Sequence, residues 1–262
     1  MTDAARSLPP LFLAHGAPSL AVDDTPAHRF LRSLGSMRSR VNGLVILSPH
    51  WETGTLRMSA PGPLRTIHDF RGFSKELYAI EYPATADPGL VDAVRSRLNA
   101  AGYDAAEDPD WGLDHGAWVP LSLAFPDPGC PVVALSLPAG STPETMYELG
   151  LTLAPLADQG VLLIGSGSTT HNLRQLLPQG SAVADWVADF DSWLDTGLQQ
   201  GDIGYFADLA AAPGFRMAHP TEEHLLPLFF AFGAGGAGAK PDILHRSYEY
   251  GTLSMTYYRF AA

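Results

Sequence analysis

Cysteine is almost missing from this 262-residue chain: Cys130 is the only one. A single thiol excludes an intrachain disulfide, a cysteine-based zinc site and an iron–sulfur cluster, so any bound metal must be held by His, Asp or Glu. Basic residues are scarce as well, with 16 Lys and Arg against 28 Asp and Glu and a net charge of −12. No basic run offsets that excess, so a nucleic-acid backbone or an anionic membrane surface would be repelled, and neither is expected as a partner. Long apolar runs are also lacking. The opening stretch, MTDAARSLPPLFLAHG, holds an apolar segment of only about five residues, too short for a signal sequence or a membrane span. Cytoplasmic residence is the resulting expectation.

What is abundant is core-forming material. With 46% hydrophobic and 17% charged residues, the chain has the composition of a folded protein with a large interior. One domain spanning 1–262 is expected, because no connection is long or polar enough to read as a linker. Short apolar runs bounded by Gly, Pro or Asn predict buried strands at Leu11–Ala14, Gly43–Leu47, Val132–Leu137, Val161–Ile164 and Leu253–Phe260. Apolar residues spaced by three and four predict helices over Thr25–Leu34, Pro88–Ala100, Pro143–Ala157, Ala182–Leu198 and Thr221–Phe232. This alternation predicts an α/β domain with a mostly parallel or mixed central sheet flanked by helices and an active site at the C-terminal edge of the strands. The low-complexity GAGGAGAK at Gly233–Lys240 reads as a flexible loop before the last strands.

Three of the nine histidines share one context. His15 follows LFLA, His50 follows LVILSP and His171 follows VLLIGSGSTT, each just beyond a predicted buried strand, where open α/β sheets bind ligands. A single strand-end histidine is as readily explained by a local hydrogen bond, but three such rings can converge on one crevice. Gly16, Pro18 and Pro49 are placed to fix the backbone around His15 and His50. Gly165–Thr169, GSGST, has neither the lysine of a Walker loop nor a dinucleotide fingerprint, and reads as a turn presenting His171. His224, in HPTEEHLLPLFF, is expected on the first turns of a helix capped by Thr221. His115, in WGLDHGAWVPL, sits at a loop-to-helix junction suited to acid–base work. His68, in TIHDFRGF, either lines a pocket or satisfies a loop. Trp51, Phe70, Trp111 and Trp118 are candidates to wall off water or to serve as ordinary core. His28, His219 and His245 read as surface or packing residues.

Taken in order, HGAPS, SPHW, IHDF, DHGAW, THNL and EEHLLPL resemble the class III extradiol ring-cleavage dioxygenases, in particular the DOPA 4,5-dioxygenase branch related to the catalytic subunit of protocatechuate 4,5-dioxygenase. Each motif is short, but six in one order are specific. The resemblance implies oxidative opening of a small aromatic diol by O2 at a non-haem metal centre. His15, His50 and His224 fall on metal-ligand positions. His171 falls on a further ligand or an active-site base and His115 on the proton-moving histidine; His68, from its local context, is the candidate for substrate binding. Non-haem Fe(II) is expected for activity, while an all-histidine site also suits Zn(II). Glu222 and Glu223 stand close enough to His224 to compete for its assignment. A zinc-dependent hydrolase and a non-catalytic metal-binding protein are the alternative readings, and the sequence leaves the oligomeric state open.

Overall fold

A computed structural model describes residues 8–127 and 129–261; Met1–Ser7 of the opening stretch lie outside the described residues. The chain runs β1 (Leu11–Ala14), α1 (Pro26–Ser33), β2 (Gly43–Thr53), β3 (Arg57–Ser59), β4 (Gly62–Leu64), β5 (Ala84–Ala86), α2 (Pro88–Ala100), β6 (Ala106–Asp108) and α3 (His115–Ala124). It continues through β7 (Val132–Pro138), α4 (Pro143–Leu153), β8 (Val161–Gly167), α5 (Asp185–Gln200), α6 (Phe215–Ala218), α7 (Leu226–Ala234), β9 (Lys240–Glu249) and β10 (Leu253–Ala261). Eight strands form one mixed sheet in the order β6-β3-β7-β2-β8-β1-β10-β9, and β4 pairs with β5 apart from it.

The centre of the sheet is parallel: β2 pairs with β7 and β8, and β8 with β1. These strands are covered on both faces, which is why they read as continuous apolar runs rather than as alternating patterns. The outer pairs β3/β7, β1/β10 and β10/β9 are antiparallel. Among the described residues no helix is long and apolar enough to cross a membrane.

Local chemistry explains where the elements stop. Thr25 caps α1 by accepting the His28 amide at 3.2 Å, with Pro26 at the first helical position. The expected helix over Pro143–Ala157 gives way after Leu153 to a tighter turn over Ala154–Gln159, because Pro155 has no amide hydrogen with which to continue the ladder. The predicted start of the last helix at Thr221 is corrected: α7 begins at Leu226, and the Thr221 hydroxyl donates to Glu223 Oε1 at 3.1 Å instead of capping a helix. His224 therefore stands on a turn before the helix. The short strands β3 to β6 carried too few residues to show a period in the sequence.

Two strand ends also differ from expectation, and both shape the site. β2 runs on to Thr53, but its register with β7 breaks between Leu47 and Glu52. Pro49 has no donor for the ladder, so the bulged stretch Ser48–Trp51 carries His50 out of the sheet plane. β8 continues through Gly165–Gly167, so these glycines are strand rather than turn. A Cβ at Gly165 would lie 1.9 Å from the Pro227 carbonyl oxygen, and one at Gly167 would lie 2.3 Å from that of His224. The glycines thus let the backbone before and within α7 lie directly on β8, where the Ser168 amide donates to the His224 carbonyl at 2.8 Å.

Behind this edge, His219 is fully buried, and its Nε2–H donates to the Thr169 carbonyl at 2.8 Å. Burial pushes its pKa down to about 4 from the ordinary value of 6.5. An imidazole held neutral in the fold is protonated more readily once unfolded, so its contribution to stability is present above about pH 6.5 and lost as pH falls toward 4. The loss from this residue amounts to at most about 3 kcal/mol. Urea denaturation at pH 4.5 and 7.5 should show a smaller stability difference for His219→Gln than for the wild type; an undiminished difference would exclude His219 as a source of acid lability.

Candidate metal centre

Five elements bring five histidines together at one sheet edge. His15 lies just past β1, His50 in the bulge of β2, His115 at the first position of α3, His171 past β8, and His224 on the turn before α7. Ring centroids lie 4.8 Å apart for His15 and His50, 5.4 Å for His15 and His224, and 5.0 Å for His50 and His224. His115 stacks on His50 at 4.1 Å, and His171 stacks on His224 at 3.5 Å with planes 9° apart. Ligand atoms of His15, His50 and His115 fall within 4.8 Å of one another, as do those of His171, Glu223 and His224, and those of His50, Asp69 and Asp114.

The surrounding acceptors decide which nitrogen of each ring carries its proton. Pro120 lies inside α3 and has no amide hydrogen for the Gly116 carbonyl, which accepts the Ser166 hydroxyl instead. Having given away its one hydrogen, Ser166 Oγ can only accept from His15 Nδ1, 3.1 Å away. His224 Nδ1 faces Glu223 Oε1 at 2.9 Å, and a carboxylate only accepts. His50 Nδ1 is buried without a well-aligned hydrogen bond, but Asp114 and Asp69 oxygens lie 3.3 and 3.4 Å from it. In all three rings the proton is drawn to Nδ1, leaving the Nε2 lone pair free.

Those lone pairs meet. Nε2 of His50 and Nε2 of His224 are 3.0 Å apart. Two imidazole lone pairs tolerate that approach only with positive charge between them, a proton or a metal ion, so the donor set fits a bound cation. Burial, with further lowering from neighbouring rings, holds His15 and His224 well below the ordinary imidazole value, keeping both neutral as ligands require. Burial also acts to lower His50, but the Asp114 hydrogen bond and charge, aided by Asp69 and Glu223, outweigh it and leave its pKa raised.

Asp69 and Asp114 are carboxylates that the sequence pattern does not single out and that the fold places against the histidines. Asp114 does not serve its neighbour His115: its Oδ1 accepts the Ser48 hydroxyl at 2.6 Å and turns toward His50. Asp69, from IHDF, accepts from both the backbone amide of His115 at 3.0 Å and its ring Nδ1 at 2.9 Å. A carboxylate supplied from a loop thus caps α3 and orients its first side chain at once. Burial acts to lift Asp69, but hydrogen bonds and charge from His115 overcome it and lower its pKa. Position in the IHDF motif was the only sequence signal for Asp69, and it was read as pointing to the histidine beside it.

The other expected site residues are sorted by the fold. His68 bonds through Nε2 to the Ile80 carbonyl at 3.0 Å, and it is not among the residues lining the cavity beside the histidine cluster. Of the four aromatic candidates only Phe70 lines that cavity. Trp51 and Trp111 stack on each other at 5.4 Å, and Trp118 donates to the Ile67 carbonyl from the core. Glu222 pairs with Arg216 at 3.2 Å, while Glu223 sits behind His224 on its Nδ1.

Residues 9–261 match the family model of the catalytic LigB subunit of aromatic ring-opening dioxygenases. The chain belongs to that family. It is 39% identical over 256 residues to a 4,5-DOPA dioxygenase extradiol of Beta vulgaris, covering 96% of each chain. A protein of the same description from Escherichia coli K12 is 33% identical over 256 residues, covering 96% of this chain and 94% of that one. A crystal structure of an uncharacterized protein from Escherichia coli K12 superposes with a TM-score of 0.78 at 29% identity, covering 96% of this chain and 99% of that one. With LigB membership come extradiol ring opening and metal dependence, for which the histidine cluster provides the donors.

Proposed function

We propose that this LigB-type enzyme opens a catechol beside one of its hydroxyls with O2, at a ferrous ion held by His15, His50 and His224, with His115 and His171 handling protons. The observation that carries the reading is the 3.0 Å approach of two imidazole nitrogens, one on a ring whose outer nitrogen bonds Glu223 and one on a ring whose outer nitrogen lies 3.3 Å from Asp114. Bound there, ferrous iron would supply the redox-active centre at which both catechol oxygens and dioxygen are brought together. In the overall reaction both atoms of O2 enter the product and one ring carbon–carbon bond breaks.

The protein's own groups manage position and protons. Catechol hydroxyls ionise above neutrality, so a base near the cavity is needed. His115 and His171 both line the cavity. The His115 Nδ1–H is committed to Asp69, which leaves Nε2 to take a proton and to return it later. Burial pushes the pKa of His171 down to about 4, so the ring is neutral at physiological pH. Face-to-face stacking on His224 sets the two rings in parallel planes, an arrangement favouring His171 as base over His171 as a further ligand. The cavity wall around both is mostly apolar.

Anaerobic loading with ferrous iron, then addition of 4-methylcatechol and air, should give oxygen uptake and a new yellow semialdehyde absorbance. An all-nitrogen donor set also suits zinc, so the zinc-loaded protein is assayed in parallel on ester and amide substrates. Hydrolysis by the zinc form, without oxygen uptake by the iron form on any catechol, would overturn the proposal.

A further inference from the structure

The cavity beside the histidine cluster has a volume of about 350 Å³, enough for a substituted single ring. One end is histidine: His15, His115 and His171. The remainder is dominated by Phe70, Phe73, Leu173, Leu176, Leu253 and Met255. Among the described residues, no lining side chain other than the histidines is a carboxylate, lysine or arginine; Tyr250 adds a phenol, and the Ser168 hydroxyl is already donated to the Thr170 carbonyl at 2.8 Å. At the opening, Leu173 is 60% exposed, Leu176 39% and Phe73 37%, so large apolar groups stand uncovered where a ring substituent would leave the cluster. The wall at the other side is built close: Gly16, at φ +61°, lets the chain turn beside Met255, whose methyl would lie 2.9 Å from a Cβ there.

We propose that the substrate is a catechol whose ring substituent is apolar and uncharged, rather than an amino-acid catechol of the kind for which the plant and bacterial relatives are named. This rests on the ring-opening reading, and it specifies what that reaction acts on. The two hydroxyls of any catechol meet the histidine end equally, so discrimination falls to the substituent. An alkyl chain covers the exposed leucines and Phe73, gaining roughly fourfold in affinity per methylene buried. The carboxylate and ammonium of an amino-acid side chain would lose water against this wall and find no carboxylate, lysine or arginine among its described lining residues.

Calorimetry under nitrogen on the iron-loaded protein tests this with 4-methylcatechol, 4-propylcatechol and L-DOPA, followed by oxygen uptake on the same panel. We expect 4-propylcatechol to bind at least tenfold more tightly than L-DOPA and more tightly than 4-methylcatechol. Leu173→Arg, an exposed position outside the histidine cluster, should raise the affinity for 3,4-dihydroxyphenylpropionate about tenfold and weaken that for 4-propylcatechol. Equal or tighter binding of L-DOPA by the unaltered protein overturns the inference even where oxygen uptake proves ring opening. The expected affinity order without oxygen uptake on any member upholds the ligand class and overturns the reaction instead.

Discussion

His15→Ala and His50→Ala each abolish metal retention, whereas His115→Ala keeps the metal and loses turnover by about 100-fold to 10,000-fold. The expectation follows from where each ring's proton is held. His15 and His50 have their Nδ1 atoms facing Ser166 and the Asp69 and Asp114 carboxylates, which leaves their Nε2 lone pairs free for the proposed cation. Removing either takes away one of the three nitrogens proposed to hold the ion. His115 is held instead by Asp69 through ring and backbone, at the mouth of an apolar cavity where a proton must move. Asp69→Asn should reproduce a weaker form of the His115 defect, about 10-fold to 100-fold, because an amide can present its nitrogen to the ring and no longer fixes one tautomer. Metal content of the dialysed variants, measured beside oxygen uptake, separates the two roles. A metal-free His115→Ala protein would move that residue into the ligand set.

Gly165→Val destabilises the fold by about 3 kcal/mol or more. Even a lone Cβ at this position meets the Pro227 carbonyl oxygen at 1.9 Å and the Ala231 methyl at 3.3 Å. The obstacle is the backbone of a helix packed on a central strand, not the end of a flexible side chain, so relief requires α7 to lift from β8. For a chain of this length such a loss lowers the melting temperature by roughly 6 to 12 °C. Because α7 begins two residues after His224, the variant should also retain less metal at temperatures where it is still folded. A melting temperature within 1 °C of the wild type would show that α7 does not depend on the close approach at Gly165.

The legible parts of this protein were those governed by residues near in sequence. Strands β1 and β7 announced themselves as apolar runs, because a parallel strand covered on both faces has no polar side to interrupt it. Helix α2 was marked to its ends by Pro88 at the start and by its apolar spacing. Histidines placed after such strands point to one sheet edge from the sequence alone. His224 was placed on a helix because its apolar followers share a helical period, but Pro227 favours the first turn and the chain enters α7 only at Leu226.

The partners of those histidines were decided by tertiary structure alone. Asp114 is the sequence neighbour of His115, yet it serves Ser48 and His50, while Asp69, 46 positions away from His115, serves His115. Ser166 reaches His15 across 151 positions because Pro120 leaves a carbonyl unpaired in α3. Such pairings depend on hydrogen-bond geometry between elements that meet only when the sheet closes, and no periodicity records them. By itself the sequence determined which residue types were available for a metal and at which strand ends they stood. The folded chain decided which nitrogen of each ring faces inward, because a hydrogen bond on the outer nitrogen leaves the lone pair on the other.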